Sequence, residues 1–544
     1  MNGAELLVQE LSARGVEFIS TLCGHGLNPL YVACEARGIR LIDTPNEQAA
    51  AYLAEAYGRL SRRVGVCAVS SGVAHVNALT GVANAHLDGA PMVLLSGSGA
   101  MATMGLGHFQ DLDQQATAAP LCKFASTLTV PERIPQLVEQ AFAAATMGRP
   151  GPVHLTLPLD VQTAEVNLDM VAKSPTRTTK VDQGAHGYPQ AIAEAAKWLG
   201  EAERPLLVAG SGVFYANGAQ ALAGFVEACA VPVVVPIWDR GSVDNPLQEF
   251  MGVVGAATGG PNLLADADMI ILAGVHFDYR VGYLQPPAVR PNAKVVRIDI
   301  DPAELSRGVK AQLTIQGDSR SVLLQLLEEV RRGGTPPHTP WLKEAQARRR
   351  QFQVRCRAAR ERAARGLHAL DILGALKGVL TDDTVLLLDG GNIGQWAHQI
   401  LFDRYPGHWL TCGASAVVGY GLPAAMAARL LYPGRPIILL SGDGALTFTI
   451  AELETAARQG LHFVVVVADD AAWGITLGEH VRAFGHAMAS ELGPISFDRV
   501  AEGFGARGVR VSTPEEIQPA VARGLSHEGT TLIQVPIVRS NPSD

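Results

Sequence analysis

Short apolar runs rich in Val, Ile and Leu recur along this 544-residue chain, and stretches of helical length and periodicity separate them. Runs of that kind read as strands buried on both faces. Parallel strands need a long crossover between them, and a helix supplies it. The alternation therefore predicts an α/β chain of three doubly wound parallel-sheet domains. Residues 1–165 alternate a helix at 3–14, strand FISTL, helix PLYVACEARG, strand RLIDT, a helix at 47–61, strand VGVCAVS, a helix at 73–86 and strand PMVLLSG, and GRPGPVHLTLPLD closes the block with another strand. Residues 164–189 are polar and interrupted, which predicts a linker. The second block, 190–330, carries strand PLLVAGSGV at 205–213, a helix at 218–229, and strands in VPVVVP, DMIILAGVHFD and AKVVRIDIDPAEL. Residues 331–365 hold GGTPPHTP and the basic run KEAQARRRQFQVRCRAARERAAR, which predicts a solvated linker helix. The third block, 366–544, carries TVLLLDGG, HWLTCG, PIILLS, HFVVVVA and TTLIQVPIV.

The balance of charge narrows the partners. Apolar residues make up 48% of the chain and charged residues 18%, with a formal net charge of −8, so no nucleic-acid partner is expected. No apolar run reaches 18 residues, and the opening MNGAELLVQELSARG reads as an amphipathic helix rather than a signal peptide, so no membrane partner is expected either. The seven cysteines (23, 34, 67, 122, 229, 356 and 412) are scattered without CxxC pairs. That pattern predicts reduced thiols in a cytoplasmic protein.

Chemistry concentrates in SGDGALTFTIAELETAARQGLHFVVVVADDAAWG, residues 441–474. The strand PIILLS runs into GDG, a helix is predicted over Thr447–Arg458, and HFVVVVA follows as a second strand. Asp443 and the pair Asp469/Asp470 then lie past the carboxyl ends of two parallel strands, the edge at which open α/β sheets bind ligands. No basic residue is near them in sequence, and a hard cation accounts for them. Mg²⁺ takes oxygen ligands and bridges carboxylates to phosphates.

This stretch resembles the diphosphate-binding motif of thiamine-diphosphate enzymes, which runs from GDG to an Asn-Asn pair. The resemblance implies Asp443, Asp470 and the carbonyl of Ala472 as metal ligands, with Asp470 where the family usually has Asn. It places Gly442, Gly444, Ala445 and Trp473 at the cofactor. LIDTPNEQAAAYLAEAYGRLS, residues 41–61, resembles the motif of the family's cofactor-activating glutamate, with Asn46 where His is frequent and Ala56 where Gly is frequent. Glu47 is then catalytic: in an apolar pocket it shares a proton with the pyrimidine ring. GHFQDLDQQATAAPLCK resembles a loop that turns Gln110 toward substrate. GGNIGQWAHQ, with Gly391 and Asn392, matches a loop over the cofactor, and CGASAVVGYGLPAAMAA carries Ala416, whose carbonyl accepts from the aminopyrimidine, and Val418 as the wedge beneath the cofactor. The three domains become pyrimidine-binding, central and diphosphate-binding. Because Glu47 and the metal pair come from different subunits in the family, a homodimer or homotetramer is implied.

The words GVHFDYRV and RIDIDPAEL resemble acetohydroxyacid (acetolactate) synthases, whereas CGHGLNPL and DDAAWGITLGEHV resemble benzaldehyde lyase and 2-hydroxyacyl-CoA lyase. On the latter side His25 is an acid or base beside the cofactor, and Trp473 with the loop 474–492 lines the substrate entrance. Three readings stand: a carboligase or lyase that decarboxylates a 2-oxo acid and adds the carbanion to a carbonyl, an enzyme cleaving 2-hydroxyacyl-CoA or an aromatic acyloin, and a non-catalytic cofactor-binding paralogue. Retention of Glu47, Asp443 and Gln110 argues against the last. The substrates implied are a 2-oxo acid, an aldehyde or an acyl-CoA. GSG after the first strand of the central block leaves FAD, a CoA nucleotide or no ligand open there.

Overall fold

The computed structural model describes residues 1–171, 184–239, 243, 247–255, 259–308, 311–362, 365–401 and 408–540. Among the described residues eighteen strands form three six-stranded sheets, and every pairing between these strands is parallel. The first sheet holds β1 (Phe18–Leu22), β2 (Arg40–Asp43), β3 (Gly65–Val69), β4 (Met92–Ser98), β5 (Phe124–Thr127) and β6 (Pro152–Pro158) in the order β2-β1-β3-β4-β6-β5. The second holds β7 (Pro205–Ala209), β8 (Val233–Val235), β9 (Phe250–Val253), β10 (Met269–Ala273), β11 (Lys294–Asp299) and β12 (Leu313–Gln316) in the order β12-β11-β10-β7-β8-β9. The third holds β13 (Val385–Leu388), β14 (His408–Thr411), β15 (Ile437–Gly442), β16 (Val464–Asp469), β17 (Arg507–Arg510) and β18 (Thr531–Pro536) in the order β14-β13-β15-β16-β18-β17. The first and third sheets therefore share one strand order. Each sheet has a switch point where the order reverses, between β1 and β3, β7 and β10, and β13 and β15, and crevices for ligands form at such points.

The central strands are what the apolar runs predict. Val464 to Val467 of β16 are fully buried, as are Ile437 to Leu440 of β15, and each such side chain contributes roughly 1.5–3 kcal/mol relative to exposure. The four strands absent from the sequence reading, β5, β9, β12 and β17, are all sheet edges. Three of them are only partly buried, so no continuous apolar run marks them.

Several predicted elements change character. PLLVAGSGV is not one strand: β7 ends at Ala209 and a short helix, Ser211–Tyr215, follows. Thr447–Arg458 is not one helix but parts of two, Asp443–Thr447 and Glu452–Arg458. Residues 474–492 are not a plain loop, since Gly474–Phe484 is helical, and GGNIGQWAHQ enters the helix Asn392–Ile400 directly after Gly391. The basic helix Thr339–Arg362 is less solvated than its charge suggests. Its Trp341, Leu342, Ala345 and Cys356 are buried, Trp341 Nε1 donates to the Pro205 carbonyl at 2.9 Å, and Arg348 pairs with Asp266 and Glu344.

Among the described residues no helix is long and apolar enough to cross a membrane. All seven cysteines are free thiols. The first and third sheets meet through the helix Glu47–Ser61 against the helix Gly421–Leu431. Both present buried alanines, which lets the two backbones come close.

Candidate active site

The third sheet's switch point carries the carboxylates. Asp443 follows β15 directly and is 3% exposed. Its Oδ1 accepts from the Gly444 N–H at 2.8 Å, and its Oδ2 accepts from the Ala472 N–H at 3.2 Å. The next strand places two acids at its end, and the structure separates their tasks. Asp469 accepts from Gln534 Nε2 at 2.6 Å and from the Ala471 N–H at 3.3 Å, so it is engaged in holding its own turn. Both acids bear on Asp443, Asp470 more strongly than Asp469. Burial first, and Asp470 next, pushes the Asp443 carboxyl up to about 7. Burial likewise pushes Asp470 up to about 6, while Arg539 pulls it back.

Glycines make room for this arrangement. A Cβ at Gly474 would sit 2.5 Å from both Asp470 Oδ2 and Asn392 Nδ2, so those two side chains converge there. Asn392 Oδ1 is buried without a hydrogen-bond partner. Gly391 has φ +109° and approaches Gly442, whose N–H donates to the Gly390 carbonyl at 3.1 Å. A Cβ at Gly444 would sit 2.8 Å from the Trp473 ring, so Trp473 lies over the GDG turn. A Cβ at Gly390 would sit 2.8 Å from Val418 Cγ1. Among the described residues no cluster of three or more His, Cys, Asp or Glu could hold a metal. Two carboxylates and an orphaned amide oxygen do make a set of hard oxygen donors, the type Mg²⁺ takes when a bound phosphate completes its shell.

The loop with Ala416 and Val418 follows β14. Ala416 adopts φ +51°, a costly conformation for a residue with a Cβ. A buried ionic group from the first block braces this loop. Arg59 and Glu55, both fully buried, lie 3.5 Å apart, and Arg59 is 3.8 Å from Asp88. Arg59 Nη1 donates to the Thr411 carbonyl at 2.8 Å, Asp88 Oδ1 accepts from the Ala414 N–H at 2.9 Å, and Ser415 Oγ donates to Asn84 Oδ1 at 2.5 Å. Burial pushes Glu55 up to about 7 against the pull of Arg59. The sequence reading passed over these residues. Their only signal is charge at i and i+4 in an otherwise apolar helix.

The first sheet gathers the remaining candidates. Glu47 is the first residue of its helix, capped by Asn46, whose side chain accepts from the Gln48 N–H. It is only half-buried and accepts from Asn77 Nδ2 at 3.1 Å, so one chain does not enclose it in an apolar pocket. His25 follows β1 and has a buried Nε2 without a partner. Its ring lies 5.3 Å from His108 and 5.6 Å from Phe109. Gln110 sits at φ +54° with its Oε1 accepting from Ser71 Oγ at 3.0 Å. Gly72, itself at φ +58°, leaves the space that Gln110 occupies, and Gly99 does the same for the His108 ring. The fold thus sets His25 against His108 and Phe109, the two residues that stand just before Gln110, and His108 is one that sequence alone does not single out. Among the described residues no hydrogen bond or ion pair joins Glu47, His25 or Gln110 to Asp443 or Asp470.

At the second sheet's switch point lies a cavity of about 1040 Å³, lined by Arg62, Asp88, Arg149, Tyr215, His276 and Asp299 among others. Burial pushes Asp299 up to about 6. Gly212, from GSG, lines this cavity together with Gly274. A Cβ at Gly212 would sit 2.6 Å from Gly274 Cα, and one at Gly210 would overlap the Gly274 carbonyl, so these glycines let two strand-end turns pack together.

Three family models match the chain. They are described as the N-terminal TPP binding domain, the central domain and the C-terminal TPP binding domain of thiamine pyrophosphate enzymes, over residues 1–117, 192–326 and 389–535. Among curated proteins the chain is similar to a probable acetolactate synthase large subunit of Methanocaldococcus jannaschii, 30% identical over 99% of this chain and 92% of the relative. It is also similar to acetolactate synthase isozyme 1 large subunit of Escherichia coli (28% identical, over 98% of this chain and 94% of the relative). A third relative is 2-hydroxyacyl-CoA lyase 2 of Caenorhabditis elegans, 29% identical over 99% of this chain and 90% of the relative.

Proposed function

The chain belongs to the thiamine pyrophosphate enzyme family and is a thiamine-diphosphate-dependent enzyme, and from that premise we propose that it is a Mg²⁺-dependent carbon–carbon carboligase or lyase of the acetolactate-synthase type. It decarboxylates a 2-oxo acid and adds the carbanion to a second carbonyl. The observation that carries the reading is the placement of Asp443 and Asp470 past the ends of two adjacent strands, with burial and the charge of Asp470 raising Asp443, and with the Asn392 side chain, whose amide oxygen has no partner among the described residues, meeting Asp470 at Gly474. Two acids held at such cost in a buried crevice are explained by a cation that neutralises them.

Asp443, Asp470 and the Ala472 carbonyl would hold Mg²⁺ against the diphosphate. Gly391, Asn392, Gly442, Gly444 and Ala445 would line the diphosphate, and Trp473 would cover it. The Ala416 carbonyl would accept from the aminopyrimidine, and Val418 would support the cofactor from below. When bound, thiamine diphosphate supplies the electron sink at which a carbon–carbon bond forms or breaks. Glu47 holds the proton exchanged with the pyrimidine ring nitrogen. His25 and Gln110 face the substrate, where His25 exchanges a proton and the Gln110 amide orients a carbonyl. The half-exposure of Glu47 within one chain supports a homodimer or homotetramer with the active site between subunits.

A second reading, cleavage of a 2-hydroxyacyl-CoA or an aromatic acyloin, is favoured by Asp470, by His25 and by the near-equal identity to the lyase relative. Purified protein with thiamine diphosphate and Mg²⁺, offered pyruvate, benzoin and a 2-hydroxyacyl-CoA in parallel, separates the two. Acetolactate from pyruvate is the expected product. Silence on pyruvate with aldehyde released from either other substrate makes the enzyme a lyase, and no product from any of the three overturns both readings. The cavity at the second sheet is large enough for a nucleotide. A flavin absorbance in the purified protein favours FAD there and the synthase, and CoA binding favours the lyase.

A further inference from the structure

The turn between β16 and the helix Gly474–Phe484 is held in a costly shape. Ala471 sits at φ +50°, and such a conformation persists only where surrounding contacts over-determine it. Those contacts come from two distant segments. The Trp473 N–H donates to the Ser490 carbonyl and the Leu492 N–H donates to the Ala471 carbonyl, each at 2.9 Å, and Ala472 bridges antiparallel to Glu491. The other clamp is Arg539. The chain leaving β18 passes beside the turn, with the Ile537 N–H donating to the Asp469 carbonyl at 2.8 Å. Two residues later Arg539 Nε donates to the Asp470 carbonyl at 3.2 Å, Nη2 to the Ala471 carbonyl at 3.3 Å and Nη1 to Glu491 Oε1 at 2.9 Å.

This cation stands beside a position where the chain departs from its family's pattern, the aspartate at 470. An aspartate in place of an asparagine adds a negative charge where an anionic diphosphate has to bind. We propose that Arg539 is a positioning residue of the diphosphate site whose charge offsets that of Asp470, so that the turn keeps its shape and the anionic cofactor is not repelled. The proposal rests on the reading of Asp443, Asp470 and Ala472 as the metal–diphosphate site. Its fork of donors grips two adjacent carbonyls and a carboxylate at once, which a point-charge ammonium does less well. Arg539 and Glu491 are 44% and 63% exposed, so replacing Arg539 leaves Glu491 in contact with water rather than buried and unpaired.

The test is a double-mutant cycle read by thiamine diphosphate affinity, measured by tryptophan fluorescence or calorimetry on the full chain at saturating Mg²⁺. Thermal unfolding first establishes that each variant is folded. Arg539→Ala is expected to weaken cofactor binding about fivefold, consistent with a partly exposed charge pair. Arg539→Lys, which keeps the charge, is expected to stay within about twofold of wild type, and Arg539→Ala in an Asp470→Asn background is expected to cost less than about twofold on the same scale. Equal losses in the two backgrounds, or no loss beside Asp470, overturn the charge-offset role. Wild-type binding that is indifferent to Mg²⁺ overturns the underlying site reading instead.

Discussion

The first and third sheets share one strand order, yet their switch points are equipped for opposite tasks. After β15 and β16 the third sheet presents the buried Asp443, the half-buried Asp470, an amide oxygen with no partner among the described residues and closely packed glycines, and all of these come from one chain. The corresponding edge of the first sheet presents His25, Gln110 and, after β2, the half-exposed Glu47. The acids of the third sheet gather within one chain, whereas Glu47 of the first sheet stays half-exposed. A common backbone plan places side chains at strand ends but does not choose their chemistry. On the proposed function, the third sheet's edge would hold the metal within one chain, and the first sheet's edge would handle protons once a second subunit covers it.

That contrast can be broken where it predicts the largest effect. Glu47→Gln keeps the shape of the helix start and removes only the ionisable proton. Turnover is expected to fall by roughly 10²–10⁴, the range for a lost acid–base group, while thiamine diphosphate still binds, because the diphosphate half is untouched. Near wild-type turnover in that variant would sink the assignment of the proton role to the first sheet.

The next effect concerns the brace between the two sheets. Arg59→Ala leaves Glu55 and Asp88 buried without their shared cation. Breaking a buried ionic group from one side costs about 3–5 kcal/mol, so denaturant unfolding should register a loss of that order. Arg59→Met, a similar volume without charge, is not expected to restore it. If Arg59→Ala costs less than about 1 kcal/mol, the loop carrying Ala416 and Val418 is held by something other than this group.

The smallest effect separates the two halves by pH. Asp443 and Asp470 are raised from 3.8 to about 7 and about 6. The folded protein therefore retains protons that the unfolded chain has released, and their contribution to stability is present below about pH 4 and lost as pH rises through 6 to 7. Mg²⁺ competes for the same carboxylates, so the stabilisation by Mg²⁺ with thiamine diphosphate should grow over that window. Melting curves with chelator and with metal plus cofactor, from pH 5 to 8, should diverge as pH rises. A constant gap between the curves would separate the metal effect from these two acids.

Part of this site is legible in the chain itself. GDG at a strand end and the acidic pair after HFVVVVA mark a ligand edge, because local apolar runs decide where strands stop. The wording around Glu47, Gln110 and Ala416 is recognisable for the same local reason. The four missed strands lie at sheet edges, and in three of them partial burial leaves no apolar signature. The helix Gly474–Phe484 was read as a loop because its face is weakly apolar and none of its residues is buried.

By itself the sequence determined the α/β class, the central strands and which acids stand past which strands, since a short β-branched run marks a strand through its near neighbours in sequence alone. The tertiary structure decided that Asp470 bears on Asp443 more strongly than Asp469, which is also engaged in its own turn. It also decided that Arg539, far along the chain, clamps that turn, that Arg59 and Asp88 brace the loop after β14, and that His108 stands beside His25. Each of these depends on contacts between segments tens to hundreds of residues apart, and no local periodicity encodes such contacts.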